Sequence, residues 1–181
     1  MKYKSVVVTA RGGPEVLQVV ENDLREPGTN EARVRVLAVP VCAPDISARY
    51  GQSPFTPKTP FTPGYAFIGV VDAIGHQKQP TGGNPYNPTI GDRVAALTAY
   101  GGYAEYAYWP VDKLIPVPDS LDPAEAAVVI LNYIVAYHVI HRWAHVKAGD
   151  RVLIKGSRGM QMEKVTNSLR AAKQKAAANG N

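Results

Sequence analysis

The chain has 181 residues, 45% of them hydrophobic and 19% charged, which sets the scale of one domain, or one domain with an appendage, around a real core. Its net charge of +5 is unevenly spread: Lys164, Arg170, Lys173 and Lys175 against Glu163 place much of it in residues 160–181. The near-neutral remainder has no basic block of the kind that marks a nucleic-acid surface, and a single cysteine excludes both an intramolecular disulfide and a multi-cysteine zinc knot.

Fifteen prolines and sixteen glycines against three phenylalanines imply short strands joined by turns. Ser5 to Ala10 reads as a strand ending at the Arg11-Gly12-Gly13-Pro14 turn, and Val16 to Val20 as a second strand. Glu31 to Val39 alternates charged and apolar residues, the period-2 pattern of a strand with one wet face. A turn carrying Cys42 follows, then a short helix over about Pro44 to Tyr50. Pro54 to Pro63 holds four prolines, which lack N–H donors and cannot sit inside a sheet. A turn at Pro63-Gly64 opens the strand Ala66 to Ile74, and Gln77 to Thr89 reads as a loop. Gly91 to Leu97 and Gly102 to Tyr108 are two further strands, and Leu114 to Pro118 is an extended edge. This spacing of strands predicts a small β-barrel or sandwich.

At Asp122-Pro123 the pattern changes to an N-cap with proline at the first helical position and Glu125 in the first turn. The helix or helix pair to about Ala144 is mostly apolar, which predicts burial between layers. Lys147-Ala-Gly-Asp is a turn, Arg151 to Lys155 a buried-type strand, and the lysine- and alanine-rich tail after Gly159 a helix. The apolar stretch Ala126 to Ile140 is interrupted by Asn132 and His138 and falls short of the ~20 residues of a membrane span. The N-terminal apolar run of three residues is far shorter than a signal peptide's central segment. The expectation is a soluble, cytoplasmic chain.

The Cys42-Ala-Pro-Asp45 turn, Pro63-Gly64-Tyr65-Ala66-Phe-Ile-Gly, Gly91-Asp-Arg-Val, Gly101-Gly-Tyr-Ala-Glu-Tyr, Val117-Pro-Asp-Ser-Leu-Asp-Pro-Ala-Glu-Ala-Ala and Val146-Lys-Ala-Gly-Asp-Arg-Val-Leu-Ile occur in the order found in the medium-chain dehydrogenase/reductases. In that order they resemble this superfamily, and its zinc-independent quinone oxidoreductase branch in particular. The resemblance implies a mainly β fold with α: a GroES-like, partly open β-barrel in residues 1–122. Linking helices and the first strand of a Rossmann domain would occupy 123–159, with a non-family basic helical tail in 160–181.

In the zinc enzymes of that superfamily the metal takes a cysteine on the first turn and a histidine, often followed by glutamate, on the second. Cys42 matches the first position, but the second carries Tyr65 and Ala66, and neither a phenol nor a methyl group replaces those ligands at neutral pH. No metal is therefore expected, and Cys42 reads as a small buried residue. The zinc-free branch works by positioning, exclusion of water and a proton source, with hydride passing from a nicotinamide to a quinone or an electron-poor carbon. Tyr65 and Asp45 are the candidate catalytic residues, and Cys42, Tyr50, Tyr65 and Asn132 the candidate pocket. Each has a plain structural alternative: packing for the tyrosines, a helix cap for Asp45, a buried partner for Asn132. His138, His141 and His145 read as a solvated helix edge.

The family's glycine-rich phosphate turn corresponds to Gly156-Ser-Arg-Gly159-Met-Gln-Met, where only Gly156 and Gly159 match. Twenty-two residues follow Gly159, fewer than the ~30 of one βαβ unit. NADPH is the cofactor of the parent family, and none is expected in this chain. The function implied is that of the catalytic domain of an NADPH-dependent quinone or enone reductase, inactive alone. The alternatives are a binding or interaction module for a small apolar ligand or partner chain, and a cofactor-independent enzyme reusing the pocket. The expected partners are a small apolar carbonyl or quinone-like ligand and a second copy in a homodimer, with neither nucleic acid nor membrane.

Overall fold

A computed structural model describes residues 1–52, 56–78 and 86–151. It divides into two units, Met1–Val139 and Ile140–Asn181. The first holds a two-stranded sheet, β1 (Lys2–Val8) with β2 (Leu17–Asp23), and a five-stranded sheet in the order β6-β3-β4-β5-β7. The five strands are β3 (Glu31–Ala38), β4 (Ala66–Ile74), β5 (Arg93–Leu97), β6 (Tyr106–Pro110) and β7 (Ile115–Pro116). Every pairing among the described residues is antiparallel, and the sheets are open. The architecture is mainly β with helices, as the motifs implied.

The pleat explains why β4 lies at the centre. Phe67 and Val71 point to one face, where Ala32, Val34, Val94, Ala96, Ala107, Val111 and Leu114 join them in a dry cluster. Ala66 and Ile68 point to the other, where they meet Ala95 of β5 and the helical residues Ala126, Ala127 and Ile130. A strand buried on both faces reads as a continuous apolar run, and Ala66-Phe-Ile-Gly-Val-Val is one. Burying the Phe67 ring completely contributes about 1.5–3 kcal/mol. The wetter end of β4 is closed by Asp72, whose carboxylate accepts a hydrogen bond from Arg33 Nε of β3 at 2.5 Å.

β1 runs Lys2–Val8 rather than Ser5 to Ala10, paired along its whole length with β2, and the sequence reading differs from the fold more deeply in three further places. β6 begins at Tyr106, not Gly102, because residues 101–103 bind the second turn instead: Gly101 N–H donates to Thr62 O and Tyr103 N–H to Pro63 O. β2 runs from Leu17 to Asp23, since Pro14–Val16 forms a 3₁₀ turn first.

The third difference is the helix Pro123–Trp143. It starts as expected, with Asp122 accepting from the Ala124 and Glu125 N–H groups, opens as α2 (Pro123–Val128) and continues through π-type turns. At 21 residues it is long and apolar enough, by length and composition, to cross a membrane, a test that core helices of soluble proteins also pass. The two polar interruptions did not shorten it. It is not buried between layers: Ala126, Ala127 and Ile130 are covered, whereas Tyr133, Val135, Tyr137 and Trp143 are exposed, Trp143 by 78%.

Of the second unit, residues 140–151 comprise the helix end and the expected turn, in which Lys147 N–H donates to Asp150 Oδ2 at 2.7 Å. The expected strand beyond Arg151, Gly156, Gly159 and the tail 160–181 lie outside the described residues, as do 79–85 of the loop Gln77 to Thr89.

Candidate functional site

Strand β3 ends at Ala38, and the chain turns through Val41 and Cys42 into α1 (Ala43–Tyr50). Cys42 is the N-cap and Asp45 the third helical residue of a reciprocal capping box. The Asp45 carboxylate accepts from Cys42 N–H at 2.9 Å, and the Asp45 N–H reaches Cys42 O at 3.0 Å. A serine or threonine usually holds the N-cap position, so a cysteine there is a weak signal in sequence.

The same carboxylate leaves the helix. Its Oδ1 accepts from Gly64 N–H at 3.1 Å, which fastens the first turn to the second, and its Oδ2 also accepts from the Tyr103 hydroxyl at 3.1 Å. Asp45 is 6% exposed, and three donors satisfy it. The cap reading of Asp45 therefore holds, and the same carboxylate joins the Cys42 turn to the Pro63-Gly64 turn.

The second turn is lashed along its length to the segment after β5. Gly101 N–H donates to Thr62 O at 2.7 Å, Tyr103 N–H to Pro63 O at 2.9 Å, and Thr98 N–H to Tyr65 O at 2.9 Å. Buried Thr98 donates through Oγ1 to Gly64 O at 2.7 Å. Gly64 has φ +109°, and a Cβ there would lie 2.6 Å from Gly102 Cα. Sequence reasoning misses Thr98, Gly102 and Tyr103; the Gly101-Gly102-Tyr103 sequence is the signal for the last two, within a segment whose pattern suggests a strand.

Two proton-bearing groups in this node are held in their neutral forms. Burial, then the Asp45 charge, raises the Cys42 thiol above its ordinary value. Burial, then the Asp45 charge and its hydrogen bond, raises the Tyr103 hydroxyl. A protonated thiol is a poor nucleophile and a poor metal ligand. Beside Cys42 the one carboxylate is already committed to three donors, and the second turn offers Tyr65 and Ala66, so these residues do not fit a zinc ion. Among the described residues no group of three His, Cys, Asp or Glu is placed to hold a metal.

The remaining candidates separate. Tyr65 is half-buried on the second turn, its backbone carbonyl accepting from Thr98 and Ala99. Tyr50 is exposed at the end of α1, with the Arg49 guanidinium 5.1 Å from its ring centroid. Asn132 is exposed on the long helix, a correction to the expectation of a buried partner: the positions around it face solvent, so its amide bears no desolvation cost. His141 and His145 are exposed and His138 half-buried, with His145 beyond the helix end. None of Cys42, Asp45, Tyr50, Tyr65 or Asn132 lines the three described cavities. The largest, a shallow groove of about 540 Å³, borders the node through Tyr103 and runs along Val36, Leu37, Val39 and Val41.

This open antiparallel sheet with its two joined turns matches the catalytic domains of medium-chain dehydrogenase/reductases among solved structures. The chain belongs to the alcohol dehydrogenase GroES-like domain family, whose model matches residues 28–119. It is 35% identical to the quinone oxidoreductase of Pongo abelii over 159 residues, 86% of this chain and 46% of that one. Among solved structures it resembles the human synaptic vesicle membrane protein VAT-1 homolog-like protein, with TM-score 0.72, 32% identity, and 82% and 46% of the two chains covered. It also resembles mycobacterial Rv1454c complexed with NADPH, with TM-score 0.70, 31% identity, and 81% and 43% covered. The chain thus spans less than half the length of each of these relatives.

Proposed function

We propose that residues 1–139 are the substrate-side domain of an NADPH-dependent reductase acting on quinones or electron-poor enones. The observation that carries this reading is the absence of zinc donors at the second turn in a chain whose relatives include quinone oxidoreductases over 86% of its length. NADPH, when bound, supplies a hydride, and the quinone takes that hydride and a proton to become the hydroquinone. This chain's part is to hold an electron-poor planar ring against the turns and to exclude water. Asp45 fixes the two turns at a constant separation, so the ring meets a rigid backbone. The Tyr65 hydroxyl is the proposed proton donor to the developing oxyanion. Gly156 and Gly159 are the proposed remnant of a phosphate turn.

The test is to titrate the purified 181-residue chain with 9,10-phenanthrenequinone by NMR and to follow NADPH oxidation at 340 nm in the same mixture. We expect saturable quinone binding with shifts of the amides of residues 42–45 and 62–66, and no NADPH oxidation above a protein-free blank. Absence of quinone binding at the turns overturns the reading. Quinone-dependent NADPH oxidation would show that this chain holds the nicotinamide itself and is not inactive alone.

A further inference from the structure

We propose that Arg11 is a positioning residue for the ligand of the two turns, tying the end of α1 to the stretch that leads into the second turn; this rests on the function proposed above. Arg11 stands in the turn after β1, where it is exposed, and its guanidinium reaches two segments at once. Nη1 donates to Ala48 O in the last turn of α1 at 2.8 Å, and Nη2 donates to Pro57 O at 2.7 Å. Cζ lies 5.6 Å from the centroid of the buried Phe61 ring, within cation–π range.

A helix cap is the simpler account of such an arginine, since a cation is favourable at a helix C-terminus. α1 is closed without it. Gly51 N–H donates to Ala48 O and Gln52 N–H to Ser47 O, both at 2.9 Å, and Gly12 N–H reaches Arg49 O at 3.4 Å. What the guanidinium adds is the bond to Pro57. Pro57 and Pro60 carry no N–H, so the stretch before the second turn has fewer donors with which to fasten itself. A planar fork of donors suits two carbonyls on different segments better than a single ammonium does.

The tie bears on the site because both segments end there. α1 begins beside Cys42 and Asp45, and Phe61 leads into the second turn. Val8 N–H donates to Phe61 O at 2.8 Å and Phe61 N–H to Val8 O at 3.2 Å, so β1 holds the backbone of Phe61 while Arg11 covers its ring. Asp45 joins the near ends of the two segments through Gly64, and Arg11 joins their far ends. Without the far tie the turns must be ordered as the ligand binds, and that ordering weakens affinity.

The experiment titrates the full chain with 2,3-dimethyl-1,4-naphthoquinone, which has no quinone-ring position open to thiols, while NMR follows the amides of Cys42 and Gly64. Arg11→Met keeps an apolar stem over Phe61 and removes both donors; Arg11→Lys keeps the charge without the fork. Asp122→Ala is the comparison, because it removes a helix cap that has no part in the turns. We expect each Arg11 variant to weaken quinone binding by at least about fivefold, and Asp122→Ala to bind as the unaltered chain does. Unchanged binding in Arg11→Met, a lysine that serves as well as arginine, or an equal loss in Asp122→Ala overturns the proposal. The lysine variant decides the matter where methionine fails to fold. An unaltered chain that takes no quinone at the turns overturns the function proposed above and this proposal with it, a result distinct from binding that the variants leave untouched.

Discussion

The Tyr103 hydroxyl donates to the Asp45 carboxylate at 3.1 Å across fifty-eight positions of sequence. That bond ties the segment after β5 to the start of α1, and the other oxygen of the same carboxylate holds the second turn through Gly64. Asp45→Asn replaces one acceptor oxygen with a donor that faces N–H groups. It should cost about 2–3 kcal/mol by urea unfolding, because buried donors lose their partner. Tyr103→Phe should cost about 1–2 kcal/mol, and the double variant less than the sum of the two. Additive losses would show that the two side chains do not act together.

Alkaline titration reads Tyr86 and Tyr103. Burial, then Asp92 through a hydrogen bond and its charge, pushes Tyr86 from 10.0 to about 12, and Tyr103 is raised in the same direction. A raised phenol keeps its proton in the folded chain at a pH where the unfolded chain has lost it. The unfolded state then binds fewer protons, and stability falls as pH rises. The loss attributable to Tyr86 should begin near pH 10 and level off near pH 12. Urea midpoints at closely spaced pH values should show a shallower alkaline decline in Tyr86→Phe than in the unaltered chain; equal slopes would refute the assignment.

Cys42 offers a chemical test. Its buried thiol has its pKa raised by desolvation and by the Asp45 charge, so the thiolate is scarce at neutral pH. Ellman's reagent should label the folded chain at least tenfold more slowly than the same chain in urea. Zinc added at equimolar concentration should leave that rate unchanged. Rapid labelling of the folded chain, or protection by zinc, would contradict the description of this turn.

At the start of the long helix, Asp122 accepts from the N–H groups of Ala124 and Glu125. Asp122→Ala should destabilise the chain by about 1 kcal/mol, with Asp122→Asn or Asp122→Ser retaining most of the stability. Identical unfolding midpoints for alanine and asparagine would mean that the cap adds nothing.

What could be read in the sequence was what neighbours along the chain decide. Glu31–Ala38 and Ala66–Ile74 announce themselves because each residue's face follows from its parity, and the Asp122-Pro123 cap is local chemistry. Asp45 is legible as a helix cap and the two turns as ordered motifs, but the bond from Gly64 N–H to Asp45 is not. What escaped depended on distant segments. Residues 101–105 contain the tyrosine and alanine of a strand, yet bind Thr62 and Pro63 of the second turn and touch β1 only through the isolated Ser5–Ala104 bridge. Tyr103 therefore went unnamed. Asn132 was judged by its apolar neighbours, but apolarity marks a buried side only when something covers it, and here the helix is covered at Ala126, Ala127 and Ile130.

Gly64 and Gly102 touch with no side chain between them, and a Cβ on either would run into the other's segment, at 2.6 Å for Gly64 and against Ala66 O at 2.8 Å for Gly102. The surface under the second turn is therefore made of peptide groups, which are the same in every sequence that keeps these two glycines. Substitution of Tyr65, Ala66 or Val41 changes the side chains of the turns while the backbone support beneath them stays put.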